Sequence, residues 1–271
     1  MDPEPLILTV APNGAYKTKA DHPALPVTPD ELAATAASCL DAGAAMIHLH
    51  VRDENGGHTL APGAYRSAID AIRGAVGDRL VIQATSESAR VYGPEQQMQA
   101  IRELRPESVS LALRELIPEE GYEPLACDFF RWLESQGCIT QYILYSDAEV
   151  AWYRALAGRA VIPDSPHWLL FVLGRYTSGQ QSRPTDLLPF LVEPPDRPWS
   201  ICAFGSSEHA CAVAAAALGG HVRVGFENNL YLKEGSTASR NAELVAQAAD
   251  AARMLNRPLM DADGLRQLFA A

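Results

Sequence analysis

Short apolar, β-rich runs recur along the chain, each followed by a polar loop and then by a stretch whose apolar positions have helical spacing. They are PLILTVA from Pro5, AMIHLHV from Ala45, RLVIQAT from Arg79, SVSLAL from Ser108, ITQYILY from Ile139, HWLLFVL from His167, WSICAFG from Trp199 and HVRVGF from His221. The clearest intervening helix begins at TPDELAATAASCLDAG, where Thr28 to Glu31 reads as a capping box, Pro29 takes the first helical position and Gly43 ends the segment. An alanine-rich amphipathic helix, STASRNAELVAQAADAARMLN, is expected to close the fold. Eight strand-then-helix units in about 250 residues fit an α/β fold, a parallel eight-stranded (β/α)8 TIM barrel. A doubly wound open sheet is the runner-up. It is disfavoured because no G-x-G-x-x-G follows the first strand and the loop VAPNGAYKTKADHPALP is longer than a dinucleotide turn needs. No internal repeat, low-complexity tract or linker appears, and the proline-rich EPPDRP fits a helix-to-strand joint, so residues 1–271 read as a single barrel domain.

Composition narrows the partners. A hydrophobic share of 48% with 20% charged residues fits a globular chain, and a net charge of −11 disfavours nucleic acid and anionic membranes as partners. Small-molecule chemistry is the expectation. Five cysteines without a C-x-x-C pair point away from thiolate clusters and structural disulfides, and towards a reduced, cytoplasmic setting. MDPEPLILTV lacks a basic leader with a long apolar core, and no apolar run reaches about 18 residues, so a soluble protein is expected.

Within AMIHLHVRD, strand alternation puts His48 and His50 on one face, about 7 Å apart along the strand. Two imidazoles so placed can converge on one cation given a third ligand, and they also fit a core pair satisfied by hydrogen bonds. The stretch HVRVGFENN supplies that ligand. His221, Arg223, Gly225 and Glu227 share one parity, while Val222, Val224 and Phe226 face the helices. Glu227 then lies at the catalytic end of the eighth strand and faces inward. Two histidines and one carboxylate with an open position describe a catalytic zinc site, and imidazole matches zinc better than magnesium.

Taken together, PLILTVAPNGA, LPVTPDELA, AGAAMIHLHVRD, FVLG and GGHVRVGFENNLY resemble the β-keto acid cleavage enzymes, from about Pro5 to the closing helix. The resemblance implies a zinc-dependent (β/α)8 barrel and a homo-oligomer, commonly a tetramer. It also implies a reaction in which a β-keto acid and acetyl-CoA give acetoacetate and a new acyl-CoA. By it, His48, His50 and Glu227 match the zinc ligands, and Arg223 matches the arginine that works beside the base. An inward arginine is also a common structural ion-pair partner.

This chain departs from the family pattern in its carboxylates. Asn228 stands where the family has an aspartate after the liganding glutamate, and an amide cannot serve as a general base. Tyr16 replaces a loop glutamate and Ile143 an inward one, so the amino-bearing 3-keto-5-aminohexanoate is not the expected substrate; a neutral or anionic β-keto acid is. By the resemblance, Thr85 and Ser110 keep hydroxyls at substrate-contact positions where the family has serine and threonine; as sequence features alone they fit exposed loop hydroxyls. New carboxylates, Glu87 after the third strand and Glu115 after SLALR, are candidates for the base or a substrate anchor, or are solvated loop residues.

The remaining histidines have no matched spacing. Surface or helix-capping roles are expected for His22, His58, His167 and His209, and packing at the strand's base for His221. The loop RYTSGQQSRP fits a lid, a contact for CoA phosphates or a plain connection. Two rival readings remain. A metal-dependent hydrolase would also use H-x-H on a barrel strand, and a catalytically degraded barrel could persist as a metal-dependent binding protein.

Overall fold

Each strand run alternates between side chains that face the barrel's interior and side chains that face the enclosing helices, and the interior set positions everything chemical in this fold. The computed structural model describes residues 4–270; residues 1–3 and 271, the ends of the expected single-domain segment, lie outside the described residues. The strands are β1 (Leu8–Val10), β2 (Met46–Leu49), a small antiparallel hairpin β3 (Val51–Arg52) and β4 (His58–Thr59), then β5 (Val81–Thr85), β6 (Ser108–Ala112), β7 (Ile139–Leu144), β8 (His167–Leu173), β9 (Trp199–Ala203) and β10 (His221–Val224). All except the hairpin pair in parallel in the closed order β1-β2-β5-β6-β7-β8-β9-β10, and β10 returns to β1 with Leu8 opposite Val222. This is the (β/α)8 barrel, with each of the eight sequence runs supplying one strand.

The helices are α1 (Pro29–Asp41), α2 (Pro62–Val76), α3 (Pro94–Leu104), the one-turn α4 (Leu113–Leu116), α5 (Glu123–Ser135), α6 (Asp147–Gly158), α7 (Glu208–Ala217), α8 (Asn241–Met254) and α9 (Ala262–Leu268). α1 opens with the expected capping box, the Thr28 side chain accepting from Glu31 N–H and Glu31 reaching back to Thr28 N–H. Two details differ from expectation. The unit between β8 and β9 carries a 3-10 segment, Pro184–Leu191, where prolines at 184 and 189 remove the donors an α-helix needs. The closing element is α9 rather than α8.

The interior is layered. At the base, Ile7, Met46, Val81, Ile139 and Trp168 form an apolar floor covered by Ala262, Leu265 and Phe269 of α9 and its exit. Arg266 fixes α9 there through Glu107 at 2.6 Å and the carbonyl of Asp78 at 2.8 Å. A polar layer follows. The Gln83 amide reaches Gln141 at 3.4 Å, and Gln141 donates to Ser200 at 3.1 Å. Above it, Ala112, Ile143, Leu170, Val172, Cys202 and Phe204 line one side of the barrel mouth. The outward residues, such as Leu8, Ile47, Val109, Phe171 and Val222, belong to the main core against the helices. Full burial of each such large side chain contributes about 1.5–3 kcal/mol.

Candidate active site at the barrel mouth

His48 is the top inward residue of β2, and His50 follows as the strand ends. Their Nε2 atoms lie 3.1 Å apart. Glu227 does not reach them by strand alternation, because β10 stops at Val224. Gly225 takes φ +138°, where a Cβ would strike the Ala11 carbonyl, and the chain turns so that Glu227 N–H donates to Ala11 at 3.1 Å. That turn brings Glu227 Oε2 to 3.6 Å from His48 Nε2 and 3.4 Å from His50 Nε2. Gly14 allows the approach from the other side, for a Cβ there would sit 2.6 Å from Glu227 Cγ.

The three groups fit one metal ion. Their ligand atoms all lie within 4.8 Å of one another, and buried Glu227 Oε2 has no hydrogen-bond partner among the described residues. The His48 Nδ1–H donates to Gln83 Oε1 at 2.8 Å, which leaves the Nε2 lone pair facing Glu227. Burial and the neighbouring Arg223 charge push the His48 pKa down to about 3, so the ring is neutral as a ligand must be. Burial would raise Glu227, but Arg223 and the two histidines outweigh it and hold its carboxyl well below the usual range. Arg223 donates to Glu227 Oε1 at 2.9 Å, while its own Nε is buried without a partner.

The other expected site residues divide by what they touch. Thr85, Glu87, Glu115, Tyr16 and Arg223 line a cavity of roughly 270 Å³ that opens above the triad. Ser110 sits behind His48, its Oγ 3.5 Å from Nδ1, and is not among the lining residues. Asn228 is also absent from the lining; it is buried, and neither polar atom of its side-chain amide has a partner among the described residues. Glu87 Oε2 lies 3.7 Å from His50 Nε2, and burial, with Glu227 and Glu115 nearby, raises its pKa. Glu115 is braced instead, accepting from Ser88 N–H at 2.8 Å and from the Gln97 amide at 3.0 Å.

The structure corrects the reading of His58. It is neither a surface residue nor a helix cap; its ring centroid is 5.5 Å from that of His50, and its Nε2 donates to the Glu87 carbonyl at 2.9 Å. His22 and His167 are buried, His22 against Phe226 and bonded to the Ala238 carbonyl, His167 between Tyr153 and the Ser165 carbonyl. His221 accepts from Ile7 N–H at the barrel's base, as expected. Residues not anticipated are Gln83, Lys17 and Arg52, whereas Arg175 opens the loop RYTSGQQSRP, for which a lid, a CoA-phosphate contact or a plain connection is the expectation. Arg52 grips the carbonyls of Gly14, Ala15 and Lys17, and Lys17 Nζ donates to the Glu227 carbonyl at 2.6 Å, so the first loop is tied to the turn that carries Glu227. Gln83 was legible as an inward polar residue in LVIQAT, but Lys17 and Arg175 lie on loops without a periodic signal.

Comparison with known proteins bears on this site. The sequence profile of the beta-keto acid cleavage enzyme family matches residues 5–270. The chain is 31% identical over 273 residues to the 3-keto-5-aminohexanoate cleavage enzyme of Acetoanaerobium sticklandii, covering 98% of each chain. It is 27% identical over 274 residues to the 3-oxoadipate:acetyl-CoA acetyltransferase of Cupriavidus necator, covering 98% of this chain and 95% of that one. Among solved structures, apo ObcA superposes with a TM-score of 0.72 at 16% identity, over 91% of this chain and 65% of that one, a likeness of fold.

Proposed function

This chain belongs to the beta-keto acid cleavage enzyme family, and on that premise we propose that it is a zinc-dependent enzyme that converts a β-keto acid and acetyl-CoA into acetoacetate and a new acyl-CoA. The bond between the β-keto carbon and the α-carbon breaks, the acetyl group joins the α-carbon, and the CoA sulfur passes to the former keto carbon. The observation that carries this reading is the convergence of His48, His50 and Glu227 on one point at the mouth, with Arg223 bonded to Glu227 and the cavity above them. The acetyl-CoA-dependent activity named for the Cupriavidus necator relative supports the co-substrate. By family membership we also assign a cytoplasmic homotetramer.

His48, His50 and Glu227 would hold the zinc, leaving an open position. Bound there, the ion supplies Lewis acidity to a keto oxygen. Arg223, which lines the cavity, brings its positive charge to the substrate carboxylate or to the enolate left at the α-carbon when the carbon–carbon bond breaks. Glu87 takes the base role that Asn228 cannot fill. It lines the cavity, its pKa is raised by burial, and among the described residues neither of its carboxylate oxygens is tied up by a hydrogen bond, whereas Glu115 is braced by Ser88 and Gln97. Thr85 Oγ accepts from Glu87 N–H at 3.0 Å and sets where that side chain starts.

The replacement of inward and loop carboxylates by Ile143 and Tyr16 supports a substrate without an amino group. The hydrolase reading needs further histidine or aspartate ligands, and among the described residues the only group of that kind is the triad. The test is metal analysis with a β-keto acid panel, run with and without acetyl-CoA while acetoacetate and acyl-CoA are followed. Near-stoichiometric zinc, lost in His48→Ala, with CoA-dependent cleavage is the expected outcome. Cleavage that proceeds without CoA would move the assignment to the hydrolase, and zinc with no turnover to the binding protein.

A further inference from the structure

Arg175 is a cation of this cavity that the cleavage chemistry leaves unused and that, unlike Lys17 with its bond to the Glu227 carbonyl, donates to no protein acceptor among the described residues. It follows β8 in the loop 174–183 and lines the cavity together with Tyr16 and Phe204. Its guanidinium lies between those two rings, 5.1 Å from the Tyr16 centroid and 5.2 Å from that of Phe204, so the planar fork is held in place. Among the described residues it donates no hydrogen bond. Its nearest acid, Glu87 Oε1, is 3.8 Å away, within Coulombic reach but beyond hydrogen-bond length. An arginine pre-oriented by stacking, with its donors open to a cavity, is a receptor for a planar anion. The same cavity that holds Arg175 also carries apolar lining from Ala112, Ile143 and Val172.

Resting on the proposed function, we propose that Arg175 selects the substrate: a β-keto acid whose chain lies along Ala112, Ile143 and Val172 and ends in a second carboxylate received by the Arg175 fork. A CoA phosphate offers the same anionic oxygens. Only the Glu87 carboxylate separates Arg175 from His50, however, while the pantetheine arm carries the phosphates many bonds away from the reacting thioester.

The test compares two six-carbon β-keto acids, one ending in a carboxylate and one in a methyl group. Each is titrated calorimetrically into the zinc-loaded protein without acetyl-CoA and then assayed with it. The wild type is expected to bind the dicarboxylate about 10- to 100-fold more tightly. Arg175→Met should bring that ratio close to one, and Arg175→Lys, which keeps the charge but not the fork, should restore part of it. A wild type that binds both acids equally, or a ratio unmoved in Arg175→Met, overturns the assignment. So does a variant whose only change is a higher KM for acetyl-CoA, which would assign the fork to a CoA phosphate. Because the binding ratio is read without turnover, a protein that discriminates but does not cleave would retain the Arg175 assignment while failing the cleavage reading.

Discussion

At the scale of single residues, the site depends on which polar atoms are already satisfied. Glu87 and Glu115 are alike in sequence, yet one carboxylate is free and the other is bonded to Ser88 and Gln97. Glu87→Gln should therefore lower kcat by about 10²- to 10⁴-fold with zinc content unchanged, as steady-state kinetics beside metal analysis will show, while Glu115→Gln should act through stability. Gln83 fixes the His48 tautomer, and Gln83→Ala is expected to weaken zinc about 10- to 100-fold in a competitive chelator titration; equal affinity would mean that the bond to His48 is dispensable. The candidate metal-binding trio could be picked out from sequence because H-x-H and the parity of HVRVGFENN place chemistry on strands. His58, Lys17 and Arg175 could not, since their positions depend on the hairpin and two loops, where no period relates residue number to direction.

At the scale of elements, the turn after β10 matters more than the strand that precedes it. Alternation along HVRVGFE gives the right inward residue for a reason that does not operate, because the strand ends two residues before Phe226 and Gly225 redirects the chain. Gly225→Ala should strain that turn and displace Glu227, so loss of bound zinc should exceed the loss of thermal stability. Glu208, in the first turn of α7, supports the same turn by accepting from Gly225 N–H at 3.1 Å and Asn229 Nδ2 at 3.2 Å. Burial raises its pKa from the ordinary 4.5 to about 8. The unfolded chain thus loses this proton first, and the contribution of Glu208 to stability falls as pH rises between about 4.5 and about 8. Denaturant midpoints measured across that range should decline less steeply in Glu208→Gln than in the wild type; parallel slopes would show that this carboxyl titrates normally.

At the scale of the whole molecule, the proposed metal site would link metal to fold. An ion bound by residues from β2 and from the turn after β10 favours the folded barrel, by about 2.7 kcal/mol when the free ion is at a hundred times its Kd. Chelation should lower the melting temperature of the wild type and leave that of His48→Ala unmoved, which calorimetry will show. The floor contributes separately. Leu265→Ala, at a fully buried position, should cost about 2–5 kcal/mol without altering zinc affinity. The sequence pattern disclosed the eight strands but not this floor, because α9 is only two turns long and its apolar face meets the strand bases only after the barrel has closed. That order has a consequence during synthesis. On the ribosome, β1 waits for residues 221–224 before its open edge is paired, and Trp168 and Met46 wait longer still, for residues 262–269. A nascent chain stalled between those points would carry a closed barrel with an oily underside, a natural landing place for chaperones and proteases and a marker by which unfinished copies are told from finished ones.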